Sequence, residues 1–469
     1  MTIKPSAETL SRLAGIVGEK YAIRSPIEMA GYMHEWRDLW HGKSPMVLRP
    51  GSTEEVSRIL AIANETLTAM VPQSGNTGLV GGQIPHESGH EVLVSLDRMT
   101  RIIEVDAANS TMTVEAGATL KSVQEAADAA DRLFPLSLAS EGSCRIGGNL
   151  STNAGGLNVL AYGNARDLCL GLEVVLADGR VWTGLRRLRK DNTGYDLKNL
   201  FIGAEGTLGI ITAAVLKLFP KPKSHETAFV AVPNPQGAVD LLSLTREMSG
   251  NRAVAFELLP AIGMDFTIKH MGVRNPLAGA SPWYVLAELA DAPEGCFPRI
   301  LEEAMARGLA SDATVAQSDS QRRELWAIRE LMPESQKFEG GSIKHDVAVP
   351  VSHLPQFIAE AAAAVHGFMG DARVMAFGHM GDGNLHFNVT QPVGLDKQAY
   401  LDCWREMNEA VFAVVLKHGG SISAEHGIGR LKRHHMREIK SPVELQMMKD
   451  VKRLFDPHGI LNPGKVLPD

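Results

Sequence analysis

The residues best suited to chemistry lie in the second half of the chain. Gly378-His379-Met380-Gly381-Asp382-Gly383-Asn384-Leu385-His386-Phe387-Asn388 reads as strand, tight turn and strand, with Asp382-Gly383 supplying the turn. Such a hairpin returns His386 to the neighbourhood of His379. His386 and Asn388, two apart on a strand, share one face. Ser423-Ala424-Glu425-His426-Gly427-Ile428-Gly429 sets a carboxylate beside an imidazole, among glycines that permit close approach. Two imidazoles and a carboxylate make a three-ligand set for Zn2+ or a similar ion such as Mn2+, with coordination positions left over for a substrate. The chain has 16 histidines, and a lone histidine is more often a hydrogen-bonded core residue than a ligand. Spacing alone leaves both readings standing.

Cations that could hold an anionic substrate stand nearby in sequence. Gln321–Glu330 reads as a helix with Trp326 and Arg329 three apart on one face, and Lys344 enters from a strand. An arginine grips a carboxylate through two parallel hydrogen bonds. Surface ion pairing is the alternative for both residues.

Two long glycine-rich loops occupy the first half. Gln73-Ser74-Gly75-Asn76-Thr77-Gly78-Leu79-Val80-Gly81-Gly82 follows a strand and offers backbone N–H groups, hydroxyls and amides without cations, which suits a pyrophosphate. Glu141–Gly156 carries small residues that would let a flat ring lie against the backbone. Either loop alone could equally be a set of tight turns. No G-x-G-x-x-G stands between a strand and a helix, which argues against a Rossmann site. Gly459–Val466 nearly fits P-loop spacing, but Val466 stands where a magnesium-binding hydroxyl is required and no helix can follow.

The elements that must position these residues follow from periodicity. MVLRP, TAMVPQ, EVLVSL, IIEVDA and TMTVEAG read as strands, the last three as a meander, with Ser52 and Glu55 forming a capping box ahead of a helix. TLKSVQEAADAADRL is a helix, and Asp178-Gly179 closes a hairpin. LFPKPKS (218–224) breaks the pattern, so residues 1–220 are expected to form one domain. Residues 221–430 form a second, an antiparallel sheet with helices around 236–249, 353–365 and 398–417, and residues 431–469 return to the first. Ser441-Pro442 opens the final helix.

Composition sets the outer bounds. At 469 residues two or more domains are expected. A hydrophobic content of 44% with 22% charged residues is ordinary globular usage. A formal net charge of −7 without a basic stripe argues against nucleic acid as a partner. Cys144, Cys169, Cys296 and Cys403 are widely spaced, so reduced thiols are expected. No apolar run reaches the roughly 18 residues of a membrane span. The N-terminal residues resemble no targeting segment, so a cytoplasmic protein, at most peripheral to a membrane, is expected. A homodimer is one assembly open to it.

GSCRIGGNLSTNAGG, LGLEVVLADG, LRKDNTGYDLKNLFIG and EGTLGIIT, between Glu141 and Thr212, closely resemble the FAD domain of the vanillyl-alcohol-oxidase-type flavoproteins. Within these, the chain looks most like the D-2-hydroxyglutarate and D-lactate dehydrogenase branch, and the likeness runs to GILNPGKVLP at the end. The resemblance implies an α+β, two-domain FAD-binding fold of the vanillyl-alcohol-oxidase/PCMH type with an antiparallel-sheet-plus-helices cap domain. It implies a pyrophosphate at Pro72, Ser74, Gly75, Asn76, Thr77, Gly78 and Leu79. Gly142, Ser143, Ile146, Gly147, Gly148, Asn149, Thr152, Asn153, Gly156, Glu205, Gly206, Gly209 and Ile210 would surround the rest of the cofactor, and Asn462 would return to the flavin edge. Gly75, Asn76 and Thr77 cannot form a covalent link, so FAD is expected to be non-covalent.

The resemblance further implies that His379, His386 and Glu425 hold the metal, that His426 is the general base, and that Arg329, Lys344 and Asn388, with His426, surround the substrate. The expected reaction is oxidation of a D-2-hydroxy acid, D-2-hydroxyglutarate first, to the 2-oxo acid, with D-lactate or glycolate as the alternative. Four residues after Arg329, where 2-hydroxyglutarate enzymes tend to carry a threonine, stands Pro333; Ser335 is the neighbouring hydroxyl. The chain carries no haem or iron–sulfur motif, so electrons must leave to an external acceptor such as an electron-transferring flavoprotein or a quinone. A metal-dependent hydrolase would leave the glycine loops unexplained, and a non-catalytic flavin-binding subunit would leave the His/Glu cluster unexplained.

Overall fold

In the computed structural model, which describes residues 3–468, the chain changes compact unit between Lys221 and Pro222, inside the proline-broken LFPKPKS stretch. One unit takes in the chain up to Gly156, Gly163–Lys221 and the chain from Glu425 onward; the other takes in Leu157–Tyr162 and Pro222–Ala424. The return therefore begins at Glu425, a few residues ahead of the boundary read from sequence.

In the first unit, strands Val47–Leu48 and Met70–Gln73 both pair parallel with Val92–Ser95, with helix Thr53–Thr66 between the first two. This corrects the expected meander. Val92–Ser95 is buried at every position, as strands covered on both faces are, and it belongs to this parallel sheet. Ile102–Asp106 and Thr111–Glu115 instead form an antiparallel pair in a separate five-stranded sheet. The Ser52 cap is half a box: its hydroxyl accepts from the Glu55 amide at 3.2 Å, but the Glu55 carboxylate accepts from Gly51, one residue before the cap. The full box closes at Ser441 and Glu444, opening helix Pro442–Phe455. The Cys169–Val175 and Val181–Gly184 strands pair as expected, with Gly179 at φ +87° in their turn.

The second unit holds two antiparallel sheets where one was expected. Four strands run in the order Ala253–Pro260, Trp283–Ala290, His225–Val232, Asp312–Val315, and three in the order Ser342–Ala348, Asn384–Thr390, Arg373–Phe377. A two-hydrogen-bond bridge between Leu258 and Gly378, at 2.9 and 3.0 Å, joins them. Helices Pro235–Ser249 and Leu354–Phe368 lie where periodicity put them, but residues 397–417 break into Lys397–Leu401 and Trp404–Lys417. All four cysteines are free thiols, three of them buried. Among the described residues no helix is long and apolar enough to cross a membrane.

Candidate functional site

The second unit gathers its share of the predicted residues around the end of the three-stranded sheet. Strand Arg373–Phe377 leads into Gly378 at φ +130°, a conformation costly for residues with a Cβ. The 3-10 turn Met380–Asp382 and Gly383 at φ +91° reverse the chain into Asn384–Thr390. The reversal sets the His379 and His386 rings edge to face, 5.5 Å between centroids. Across the ladder Asp346 faces His386, and Lys344 faces Asn388. Asn388 is buried and donates to Gln336 Oε1 at 2.9 Å, while Gln336 donates to Thr390 at 2.7 Å.

Helix Asp319–Glu330, capped by Ser318, delivers Arg329 to the same place. Arg329 is 5% exposed and its guanidinium lies over the Phe377 ring at 4.9 Å, so it is no surface ion pair. Its Nε donates to Glu257 Oε2 at 2.5 Å, and the other oxygen of Glu257 meets His379 Nδ1 at 2.7 Å. Burial works to raise the Glu257 carboxyl, but the charges and hydrogen bonds of His379 and Arg329 outweigh it and hold it at about 2. Glu288 steadies the helix from below, accepting from Arg322 and from the Trp326 indole at 2.8 Å.

Ser335 is fully buried. Its hydroxyl donates to the Met332 carbonyl at 2.8 Å and lies 3.4 Å from the Thr267 hydroxyl. Its hydroxyl is thus engaged in the interior of the second unit.

The first unit holds the remaining residues. Pro72 is the half-buried third residue of strand Met70–Gln73, and Gly206, at φ +70°, leaves only 2.4 Å between the place of a Cβ and the Pro72 ring. The two glycine loops meet at Gly75 and Ser143, and Gly148 lies against Ser74. Thr77, Gly78 and Leu79 follow in the first loop, with Gln83 Nε2 donating to the Gly78 carbonyl at 2.8 Å. Where a loop was expected, Ile146–Ser151 forms a short helix containing Gly147, Gly148 and Asn149. Asn149, Thr152 and Asn153 make internal bonds, to Cys144, to the Gly148 carbonyl and from the Arg166 amide. Gly209 packs against Val174 and Ile210 opens a buried strand, so these shape the cradle through the backbone. A Cβ on Gly142 would meet nothing within 4 Å.

The C-terminal segment reaches this cradle by pairing with Met70, whose carbonyl accepts from the Asn462 amide at 2.8 Å. The Asn462 side chain donates to the Gly82 and Glu205 carbonyls at 3.0 and 2.7 Å. Glu205, at φ +51°, accepts from the Ile428 and Gly429 amides at 2.7 and 2.9 Å. Burial pushes its carboxyl up to about 7, against those amides and the Lys432 charge. One residue before His426, Glu425 Oε1 accepts from the Gly156 amide at 2.7 Å.

Ser74 Oγ, Asn76 Oδ1 and Asn462 Oδ1 are buried polar atoms with no protein partner. Such atoms ordinarily find one, and their position beside glycines with no room for a side chain fits a polar cofactor laid on the backbone. Glu257 and Gln336 were missed by sequence reasoning. A single carboxylate inside the apolar run AVAFELLP was the available signal, because a buried charge must be paired.

The comparisons with known proteins agree with this geometry. Residues 44–184 match the FAD binding domain, and residues 221–466, more than half of the chain, match the C-terminal domain of FAD linked oxidases. A D-2-hydroxyglutarate dehydrogenase, mitochondrial, of Arabidopsis thaliana is 39% identical over 98% of this chain and 82% of its own length. A D-2-hydroxyglutarate dehydrogenase of Xanthomonas citri is 35% identical over 94% and 93%. A putative D-lactate dehydrogenase, mitochondrial, of Schizosaccharomyces pombe is 36% identical over 94% and 85%. Among solved structures, p-cresol methylhydroxylase superposes with a TM-score of 0.76 at 16% identity, covering 98% of this chain and 96% of that one. A 4-ethylphenol oxidase from Gulosibacter chungangensis gives 0.74 at 20%, covering 99% and 98%. These two show the fold, which is the vanillyl-alcohol-oxidase/PCMH type. The chain belongs to the FAD-linked oxidase family, grouped in sequence with D-2-hydroxyglutarate dehydrogenases, and is an FAD-linked oxidoreductase.

Proposed function

We propose that the protein oxidises a D-2-hydroxy acid, D-2-hydroxyglutarate first, to the 2-oxo acid. The observation that carries this reading is the joining of His379 and Arg329 through one buried carboxylate, which sets a metal-ligating imidazole beside a carboxylate-gripping guanidinium. FAD, when bound, supplies the acceptor for the hydride lost from C2. His379, His386 and Glu425 would hold a divalent ion, Zn2+ or Mn2+, which would supply Lewis acidity towards the substrate hydroxyl.

The remaining work falls to the chain. Arg329 holds the substrate carboxylate, with Lys344 and Asn388 facing each other on the adjoining strands. His426 accepts the proton of the 2-hydroxyl as general base. Glu425 is the third ligand of the proposed set. The donor set of two imidazoles and one carboxylate suits such an ion.

Support for the five-carbon diacid is the naming of the relatives. Pro333, without a donor, and the inward-turned Ser335 favour D-lactate or glycolate as the second reading. In this reading the protein is a cytoplasmic homodimer that passes its electrons to an external acceptor, an electron-transferring flavoprotein or a quinone. The test is anaerobic bleaching of the bound flavin by D- and L-lactate, 2-hydroxyglutarate, malate and glycolate. Rapid bleaching by D-2-hydroxyglutarate supports the reading; a flavin that none of these acids bleaches ends it.

A further inference from the structure

Glu257 is 1% exposed and sits on Ala253–Pro260, a strand buried at every position. Its neighbour Leu258 is hydrogen-bonded in both directions to Gly378, the residue before His379. The bridge brings the Glu257 carboxylate onto His379 Nδ1, at 2.7 Å, and its second oxygen onto Arg329 Nε, at 2.5 Å. A buried carboxylate with each oxygen committed to a different group has no freedom to turn. We propose that Glu257 is the positioning residue of this site, fixing at once the metal-binding face of His379 and the substrate-facing fork of Arg329. The inference rests on the proposed role of His379 as a metal ligand.

The chemistry runs in two directions from one side chain. With Nδ1–H donated to Glu257, the imidazole keeps its lone pair on Nε2, the atom that binds metal, and a carboxylate behind a ligating histidine raises its basicity. With Nε taken by the same group, Arg329 presents its two terminal nitrogens end-on, a geometry suited to a planar carboxylate. A glutamine in this place has an oxygen for only one of the two donors, so one N–H would face another. An aspartate keeps the charge but is one methylene too short to span both.

The test is titration of Mn2+ and of Zn2+ into chelator-stripped, FAD-containing protein by calorimetry, for wild type, Glu257→Gln, Glu257→Asp and His379→Ala. Steady-state kcat and KM for D-2-hydroxyglutarate and the Tm of the metal-free protein accompany it. Expected are a 10- to 100-fold weaker metal affinity in both Glu257 variants and a raised KM. The aspartate result separates orientation from charge and serves alone if the glutamine variant does not fold. A Glu257 variant that lowers only the Tm, with metal affinity and KM at wild-type values, overturns the inference. Wild-type protein that binds no ion, or His379→Ala that binds as wild type does, instead removes the ligand reading, and the inference with it.

Discussion

A Cβ on Gly75 would stand 2.4 Å from the Ser143 carbonyl oxygen and 2.9 Å from the Cys144 Cα. The two glycine loops thus touch backbone to backbone, and no side chain fits between them. Gly75→Ala must push the loops apart, at a cost of about 1–3 kcal/mol for overpacking, and with them the unpartnered Ser74 hydroxyl. The expected outcome is protein purified with little flavin, read as the ratio of absorbance near the flavin maximum to that of the protein. Gly15→Ala is the control. It lies in helix Ala7–Val17 of the same unit with nothing within 4 Å of its Cβ, so it should keep its flavin and gain about 0.5–1 kcal/mol.

His426 follows Glu425, which is bonded to Gly156, and precedes Gly427, which lies against Glu205. Removing its imidazole takes away the proposed proton acceptor and leaves those backbone contacts in place. His426→Ala should retain FAD and lose at least about 100-fold in the rate of anaerobic flavin bleaching by D-2-hydroxyglutarate. Stopped-flow measurement at saturating substrate checks it, and an undiminished rate would remove the base assignment.

What could be read from sequence was what is local. The turn at Asp382-Gly383 carries its own signal, so the return of His386 to His379 was visible before the fold was known. The loops were visible because glycines concentrated in them are expensive elsewhere. Pairing between distant segments was not visible. Val92–Ser95 alternates no differently from its neighbours, and only burial on both faces places it in the parallel sheet. Glu257 meets His379 through a bridge between residues 120 apart, Leu258 and Gly378, for which no periodicity exists. Buried lone carboxylates in apolar runs, Glu257 in AVAFELLP and Glu288 in WYVLAELA, are the one local trace of such long-range pairing.

Glu288 gives the second unit an acid limit. Burial acts to raise its carboxyl, but hydrogen bonds from His225, Arg322 and Trp326 and the Arg322 charge prevail and hold it at about 2, against an ordinary 4.5. Because the folded value is depressed, the stabilisation is fully present above pH 4.5 and is lost as pH falls from 4.5 towards 2. Its ceiling is roughly 3 kcal/mol. Glu288→Gln should lower the Tm at pH 7 and flatten the fall in Tm across that acid window, as followed by circular dichroism. A variant whose acid profile parallels the wild type would show that the proton uptake lies elsewhere.

Under the proposed function, substitutions at Arg329 and Ser335 separate general carboxylate binding from selectivity. Arg329→Lys keeps the charge but loses the fork, and a single ammonium cannot both satisfy Glu257 and present two parallel donors. We expect kcat/KM to fall about 10- to 100-fold for every 2-hydroxy acid the enzyme accepts, with flavin content unchanged. Ser335→Ala should behave differently, because its hydroxyl is spent on the Met332 carbonyl at 2.8 Å. The ratio of kcat/KM for D-2-hydroxyglutarate to that for D-lactate should stay within about twofold of wild type, consistent with the loss of one interior hydrogen bond that faces no substrate. If that ratio collapses in Ser335→Ala, the serine does reach the distal carboxylate, and the selectivity would have to be attributed to a hydroxyl that turns outward when substrate binds.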